Sequence, residues 1–444
     1  MKNKLSLVAL LGSFTLLSQN IVFTDGTFKS ELLAHGITIT GQNISVIDVN
    51  GDNEISFTEA QNYSGNINLT NSGLTTLPPI SEMDGIEYFT NIQELTINNH
   101  HISSLDLSNN ISLKKLSTFY CGFLNNLNLG NIPIESLEVI QSSIPNVTFP
   151  TTLKDINIEY ISPLVTNLDF SNCVDLENLR LTRYYGTVNL NNSRQLQSIF
   201  IQQNLQLNSL NLSSNVNLKD VNISYTNLTA LDLSNKNDIE NISISFNDLL
   251  TSLNVTNCIN LSYLYVRNNQ LTDLNLTTTP IVSNIQCQNN KLTKLNLANG
   301  NNQILSNQNN YRMDATGNPD LKCINIDYGF IPQVLFWNKD ITATYSYKCI
   351  YPMDKEPGDP SLPTLESFRE ASTSLDVYPN PSKGIIYVKF NQAIQQMNLL
   401  NINGELISSK LNGNTINMSN LKKGMYLLEI RTENKIIKRK IIKE

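Results

Sequence analysis

Residues Leu261 to Leu276 read LSYLYVRNNQLTDLNL. Leu261, Leu264, Val266, Asn269 and Leu271 stand at the spacing L-x-x-L-x-L-x-x-N-x-L. Alternation through Leu264 and Val266 predicts a short strand with one buried face. The Asn that follows is placed to bond backbone groups that a tight return turn would leave unpaired. A unit this short cannot bury its own apolar row, so it needs neighbours of the same kind.

The neighbours are present. Apolar-x-apolar triplets begin at Leu95, Leu116, Leu137, Ile156, Leu179, Ile199, Val221, Ile242, Leu264 and Ile285, with gaps of 19 to 23 residues. A second set includes Leu105, Leu127, Val147, Leu168, Val188, Leu210, Leu231, Leu253, Leu274 and Leu295. The pattern is that of a leucine-rich repeat of roughly 21 residues. The first set is expected to form parallel strands on a concave wall and the second to line the opposite wall. The fold class is mainly β: a solenoid of about ten coils over residues 65–300. INLTNSGL, Ile67 to Leu74, is an irregular first coil. Asn recurs after the first-set strands as Asn204, Asn247, Asn269 and Asn290, while His100, Cys121, Ser142 and Thr226 take its place elsewhere. Pro133, Pro145, Pro150 and Pro163 interrupt the coils between Ile132 and Tyr185, where a kink or bulge is expected.

An exposed solenoid end leaves apolar core bare, so both ends need caps. Residues 25–64 form the first. TFKSELLAHG, Thr27 to Gly36, has Phe28, Leu32 and Leu33 at helical spacing and Gly36 as a stop. DVNGDNEISFTE, Asp48 to Glu59, follows the calcium-loop pattern D-x-[DN]-x-[DN]-G-x5-E except that Asn53 replaces the Gly. Asp48, Asn50 and Asp52 would supply side-chain oxygens, Glu54 its carbonyl, Ser56 a water-bridged contact and Glu59 a bidentate carboxylate. Asn tolerates the left-handed conformation that the Asn53 position requires. The competing reading is an Asp/Asn-rich turn that starts a helix. Residues 301–350 form the second cap, which holds Trp337, the only tryptophan. Cys323 and Cys349 bracket a loop that a disulfide would close, contributing about 3 kcal/mol in the loop-entropy model. Residues 351–374 are rich in Pro and charge and read as a linker. Residues 375–444 change character, with seven short alternating strands separated by turns, the pattern of a small β-sandwich.

The net charge is −7 and charged residues make up 16% of the chain. Asn, Ser and Thr take over much of the polar surface, and no basic patch of the kind nucleic acid requires occurs in the array. Met1 to Ser18 combines Lys2 and Lys4 with an apolar run from Leu5 to Leu17, the pattern of a signal peptide. That run is shorter than a membrane span, and no later segment is apolar enough to be one, so no transmembrane span is expected. Export permits disulfides. Of the six cysteines, Cys121, Cys173, Cys258 and Cys287 fall at repeat positions and read as small buried apolar residues. No C-x-x-C pair points to zinc.

Two resemblances follow from longer blocks. VYPNPSKG (Val377 to Gly384), NINGELI (Asn401 to Ile407), LKKGMYLLEI (Leu421 to Ile430) and the closing KIIKE resemble the type A C-terminal sorting domain of Bacteroidota type IX secretion. The resemblance implies that the type IX machinery carries the chain across the outer membrane through residues 375–444. The domain is then usually removed, and the cargo is released or attached to surface lipopolysaccharide. FKSELL, DVNGDNEISFTEA, GIEYFTNIQEL and NPDLKCINID resemble exported Bacteroidota leucine-rich repeat proteins with internalin-like repeats. That family implies binding of a protein or glycan at the cell surface.

Catalysis has little support. The three histidines are His35, His100 and His101, and neither G-x-S-x-G nor H-E-x-x-H occurs. The chain is read as a binding protein, not an enzyme. Outward positions of the first strand set are Glu94, Thr96, Asn98, Phe119, Glu138, Glu159, Arg180, Thr182, Phe200, Gln202, Tyr263, Tyr265, Arg267, Gln286 and Gln288. Arg180, Phe200, Tyr263, Tyr265 and Arg267 stand out among Asn, Ser and Thr as interface anchors. The alternative reading is a structural surface-layer protein that associates with itself.

Overall fold

A computed structural model describes residues 19–34, 47–73, 77–144, 147–161, 165–306, 313–330, 332, 337–349, 375–390, 393–401, 405–411, 414–432 and 436–444. The signal-peptide stretch, Gly36 and the linker lie outside them. Residues 1–352 and 353–444 are two separate compact units.

The first unit is organised by one parallel sheet of thirteen strands, from Ile67–Thr70 to Trp337–Lys339. Its register aligns Ile67, Leu95, Leu116, Leu137, Ile156, Leu179 and Ile199 in one buried row. The row continues through Val221, Ile242, Leu264, Ile285, Met313 and Trp337. All ten residues of the first triplet set lie in it. The ladder also runs two strands into the C-terminal cap, because Met313 and Trp337 extend the same apolar row. The opposite wall is less regular. It consists of four short sheets, at Leu105–Leu127, Leu168–Val188, Leu231–Leu253 and Leu274–Leu295–Ile324–Tyr345. Val147 and Leu210 join no strand.

The expected bulge is absent from the long ladder. Leu137, Ile156 and Leu179 stay in register across the proline-rich coils. The irregularity falls on the other wall, at Val147. Proline lacks a ladder N–H, and Pro133 and Pro150 lie in the connections.

Two rows of buried polar side chains stitch successive coils together. On the long-sheet side, Asn247 Nδ2 donates to the carbonyls of Ile223 and Ser245, and Asn269 Nδ2 to those of Ile244 and Val266. Asn290 bonds Val266 and Cys287, and Asn318 bonds Cys287 and Ala315. Their Oδ1 atoms accept amides of neighbouring coils, as Asn269 does from Asn247 N. The substitutes fill the same role: the Cys121 amide donates to Ser142 Oγ, and the Ile80 amide donates to His100 Nδ1.

The second row, on the far side, is Asn110, Cys173, Ser193, Asn215, Lys236, Cys258 and Thr279, all buried. Each donates to a backbone carbonyl, usually of the preceding coil: Cys173 to Pro150, Ser193 to Phe170, Lys236 to Leu212 and Cys258 to Leu233. The four cysteines are free and buried, as expected, but Cys173 and Cys258 also act as thiol donors. Burial pushes their thiols up to about 12 and about 11, which leaves them protonated.

At the N-terminus, helix Gly26–Ala34 buries Phe28 and Leu32. Asp25 caps it by accepting from Thr27 N and Phe28 N, and its other oxygen accepts from Ser81 N and Oγ, tying the cap to the first coils. Residues Gln19 to Ile21 add an antiparallel pairing to Ile55–Phe57 that the sequence does not signal. At the other end a Cys323–Cys349 disulfide closes the cap, with Cα atoms 5.8 Å apart.

The second unit contains seven antiparallel strands in sheets of three and four, close to the boundaries read from the sequence. Its core is Ile386, Val388, Met397, Leu399, Ile416, Met418, Leu428, Ile430 and Ile441.

Two measurements test the stitching. Asn269→Ala orphans two carbonyls and the Asn247 amide, so denaturant unfolding is expected to show a loss of about 3–5 kcal/mol, whereas half-buried Asn268→Ala stays near 1 kcal/mol. Burial holds the Lys236 ammonium below its ordinary value of 10.5. The unfolded chain therefore binds that proton more tightly, and stability rises as pH climbs through the interval below 10.5. Lys236→Asn, which restores the residue type of Asn215, is expected to abolish that rise and to raise Tm at neutral pH.

Candidate functional site

The outward face of the long sheet carries the residues that the sequence singles out, in two groups. Arg180 and Phe200 are register partners on adjacent strands, and the guanidinium lies 3.9 Å over the ring. They border a groove of about 410 Å³ that also contains Lys115, Glu138 and Asp155. Tyr263 and Tyr265 flank buried Leu264 on one strand, with rings stacked 6.4 Å apart. Tyr265 and Arg267 border a second groove of about 530 Å³, together with Gln202, Ser224, Tyr225, Ser243 and Phe246. Phe200 and Tyr265 sit three strands apart, about 14 Å at the usual strand spacing. The five residues therefore form two sites, not one. Tyr263 is exposed at the rim, outside the lining of the second groove. Thr182, read as outward and accessible, is buried, because its small side chain sits between the longer Glu159 and Gln202 of adjacent strands.

Tyr225 and Phe246 are absent from the sequence reading, and the reason is conformational. A strand alternates buried and outward residues, so the residue after the fifth strand position would point inward. Here that residue is left-handed in eleven successive coils: Asn99, Tyr120, Gln141, Tyr160, Arg183, Gln203, Tyr225, Phe246, Asn268, Asn289 and Gly317 have φ between 48° and 72°. The left-handed step shifts the alternation by one. It throws that side chain outward and turns the next, the stitching residue, into the core. Asn and Gly adopt this conformation readily, whereas other residues are strained by roughly 1–2 kcal/mol each. Seven successive coils nevertheless hold Tyr, Gln, Arg or Phe. Tyr120 and Tyr160 are each 53% exposed and Tyr225 is 41% exposed.

These residues pair along the edge of the sheet. Tyr225 and Phe246 stack at 5.1 Å with planes 7° apart. Arg267 lies 5.6 Å over Phe246, and Arg183 lies 5.9 Å over Tyr160 while its Nε donates to Gln203 Oε1. Among the described residues no ion pair involves Arg180, Arg183 or Arg267. The second groove contains no carboxylate, and Arg267 is its one charged residue.

The Asp48–Glu59 loop adopts the backbone expected of it. Asn53 is left-handed at φ 62°, and Asp48 accepts from the Gly51 and Asn53 amides. Its donors suit a hard cation in kind. Their placement is that of a hydrogen-bonded turn. Asn50 and Asp52 bond each other, and Glu54 pairs with Lys29 at 2.7 Å. Glu59 Oε1 accepts from the Val49 and Asn50 amides, and Oε2 from Ser56 N and Oγ in a capping box for helix Phe57–Asn62. Burial works against the charged form of Glu59, but the bonds from Ser56, Asn50 and Val49 outweigh it and hold the carboxyl below its ordinary value. Among the described residues no three His, Cys, Asp or Glu side chains converge as a metal set.

The long parallel ladder, its stitching row and its capped ends define a leucine-rich repeat solenoid. Similar folds occur in the functional domain of InlJ from Listeria monocytogenes, which includes a cysteine ladder, at 19% identity and TM-score 0.28, covering 68% of this chain and 74% of that one. A leucine-rich repeat protein of Leptospira interrogans matches at 13% identity and TM-score 0.21, covering 65% and 97%. A TLR13–ssRNA13 complex matches at 14% identity and TM-score 0.30, covering 58% and 46%. No curated protein matches the chain. Residues 376–444 match the secretion system C-terminal sorting domain. The chain therefore joins a solenoid of leucine-rich repeat form to a secretion-system C-terminal sorting domain, which marks it for export to the cell surface or beyond. No helix among the described residues is long and apolar enough to cross a membrane.

Proposed function

We propose that the solenoid binds a protein or glycan outside the cell through the outward face of its long sheet, without catalysis. The observation that carries this reading is the second groove. It gathers Tyr225, Phe246, Tyr265 and Arg267 in a groove otherwise lined by Asn, Ser and Gln. Aromatic and Arg side chains are the usual anchors of an interface. On a rigid ladder they lose little freedom on binding. On this reading Met1 to Ser18 is the export signal, and cleavage near Ser18 or Gln19 leaves residues 19–21 to complete the cap. The sorting domain then takes the chain through the outer membrane and is removed.

Protein and glycan arrays probed with the full chain test the binding role. Capture is expected to fall about 30-fold or more in Tyr265→Ala plus Arg267→Ala. Equal capture by this variant would remove the site, and association only with further copies of the chain would favour a structural surface layer.

We also propose that calcium enters the Asp48–Glu59 loop and stiffens the cap. Asp48, Asn50 and Asp52 would hold it, with Glu59 giving up its amide contacts. That exchange weakens binding, toward the 10⁻⁴–10⁻³ M range, roughly, of extracellular modules. In about 10 mM calcium the unfolding free energy is expected to rise by about 1.4–2.7 kcal/mol. Glu59→Gln keeps the capping box but loses the charge, so its stability is expected to ignore calcium. A wild-type melting curve that calcium does not move would reject the ion.

A further inference from the structure

Building on the binding-face reading, we propose that the ligand is an anionic polysaccharide running along the solenoid axis. It would lie across successive strands, with sugar rings on the aromatic edge and acidic groups on its arginines. Four features point to this chemistry. First, the groove holds one cation and no carboxylate, in a chain whose net charge is −7. A neutral or cationic ligand has no use for that bias, whereas a carboxylate or sulfate fits the guanidinium fork. Second, Arg183 and Arg267 each stand over an aromatic ring and have no carboxylate partner among the described residues. A ring-backed guanidinium is held in place for an anion, Arg183 further by its Nε bond to Gln203.

Third, Tyr225, exposed, and Phe246, half-buried, stand one per coil with parallel rings stacked against each other along the ladder. Their outer rims, repeated at about 4.8 Å, match the repeat of a polymer of rings better than the irregular side chains of a folded protein. The same row continues through Gln203 and Arg183 to Tyr160, which gives an extended track. Fourth, the groove floor is hydroxyl and amide, from Ser224, Ser243 and Gln202. These groups satisfy sugar hydroxyls, and they offer none of the desolvated apolar pockets that a protein hot spot fills.

The strained residues supply a test that separates binding from folding. Asn at 225 and 246 is the residue type that other coils use at this position, at Asn99, Asn268 and Asn289. Tyr225→Asn and Phe246→Asn should therefore keep or raise Tm. The full chain and these variants, with Arg267→Gln, would be run by affinity electrophoresis and calorimetry against alginate, which carries carboxylates, carrageenan, which carries sulfates, neutral dextran, and single-stranded RNA. Binding is expected to one or both acidic polymers, with weakening at high salt. Loss of about tenfold or more is expected in each of the three variants. The ratio between alginate and carrageenan identifies the acidic group. Equal binding of dextran, binding of RNA alone, or unchanged affinity in the Asn variants would overturn the proposal. If every polysaccharide fails while an array protein is still lost on Tyr265→Ala plus Arg267→Ala, the binding face stands and the polysaccharide falls. If that double variant loses nothing, both fall.

Discussion

The structure depends on partnering the backbone groups that each coil turns into an apolar stack. A solenoid coil bends sharply every few residues, and each bend leaves carbonyls and amides with no strand partner. In a dry core such groups are costly unless bonded. Two rows of side chains meet this need, one on each side, and most of their bonds reach a coil away. The bonds therefore couple neighbours, which is what turns separate coils into one array. The rows also account for side chains that look out of place. Lys236 is buried because its ammonium substitutes for an amide at a carbonyl, and Cys258 because its thiol does.

The same constraint shapes the outer surface. To aim a stitching side chain inward, the preceding residue must be left-handed, and this pushes that residue's own side chain to the edge of the sheet. Eleven successive coils thus present a surface position whose backbone is set by the core. Where nothing else is demanded, Asn or Gly fills it with little strain, as at Asn268, Asn289 and Gly317. Between Tyr120 and Phe246 the chain accepts strain and gains a line of aromatic and cationic groups. Strain kept along a surface row motivates the proposed binding role, since strained backbone clusters where function asks for it.

Much of this was legible in the sequence, and the limits have physical causes. The buried row was readable because a period-two strand repeated every coil leaves an apolar signature that no other arrangement of these residues satisfies. The Cys323–Cys349 bridge followed from two cysteines at the edge of the regular array. The opposite wall was overread, since Val147 and Leu210 carry the right letters but join no ladder. Apolar spacing reports burial, not hydrogen-bonded pairing. Tyr225 and Phe246 were missed because strict alternation assigns them to the core, and a one-residue phase shift cannot be seen in hydrophobicity. The signal was nonetheless present: an Asn-rich column just before the stitching residue, at Asn99, Asn268 and Asn289, betrays a left-handed site. The Asp48–Glu59 loop shows a different limit. Its letters serve a calcium site and a capping box equally, because both ask the same carboxylate to face the start of one helix.

These elements together explain how a chain with few charges can present a selective surface. More than half of the outward strand positions are Asn, Ser, Thr or Gln, which bond water as well as they bond a ligand and therefore discriminate weakly. Against that neutral background one guanidinium without a carboxylate neighbour dominates the local potential, and it is felt less through bulk solvent when it rests on a ring. Rigidity then sharpens the effect. The side chains stand on strands whose spacing is set by backbone hydrogen bonds, so the row cannot adjust its pitch to suit a partner. A ligand must match the coil repeat or forgo most of the contacts. On the proposed binding reading, the spacing that hydrogen bonding imposes on the sheet becomes a spacing that the surface would impose on its ligand.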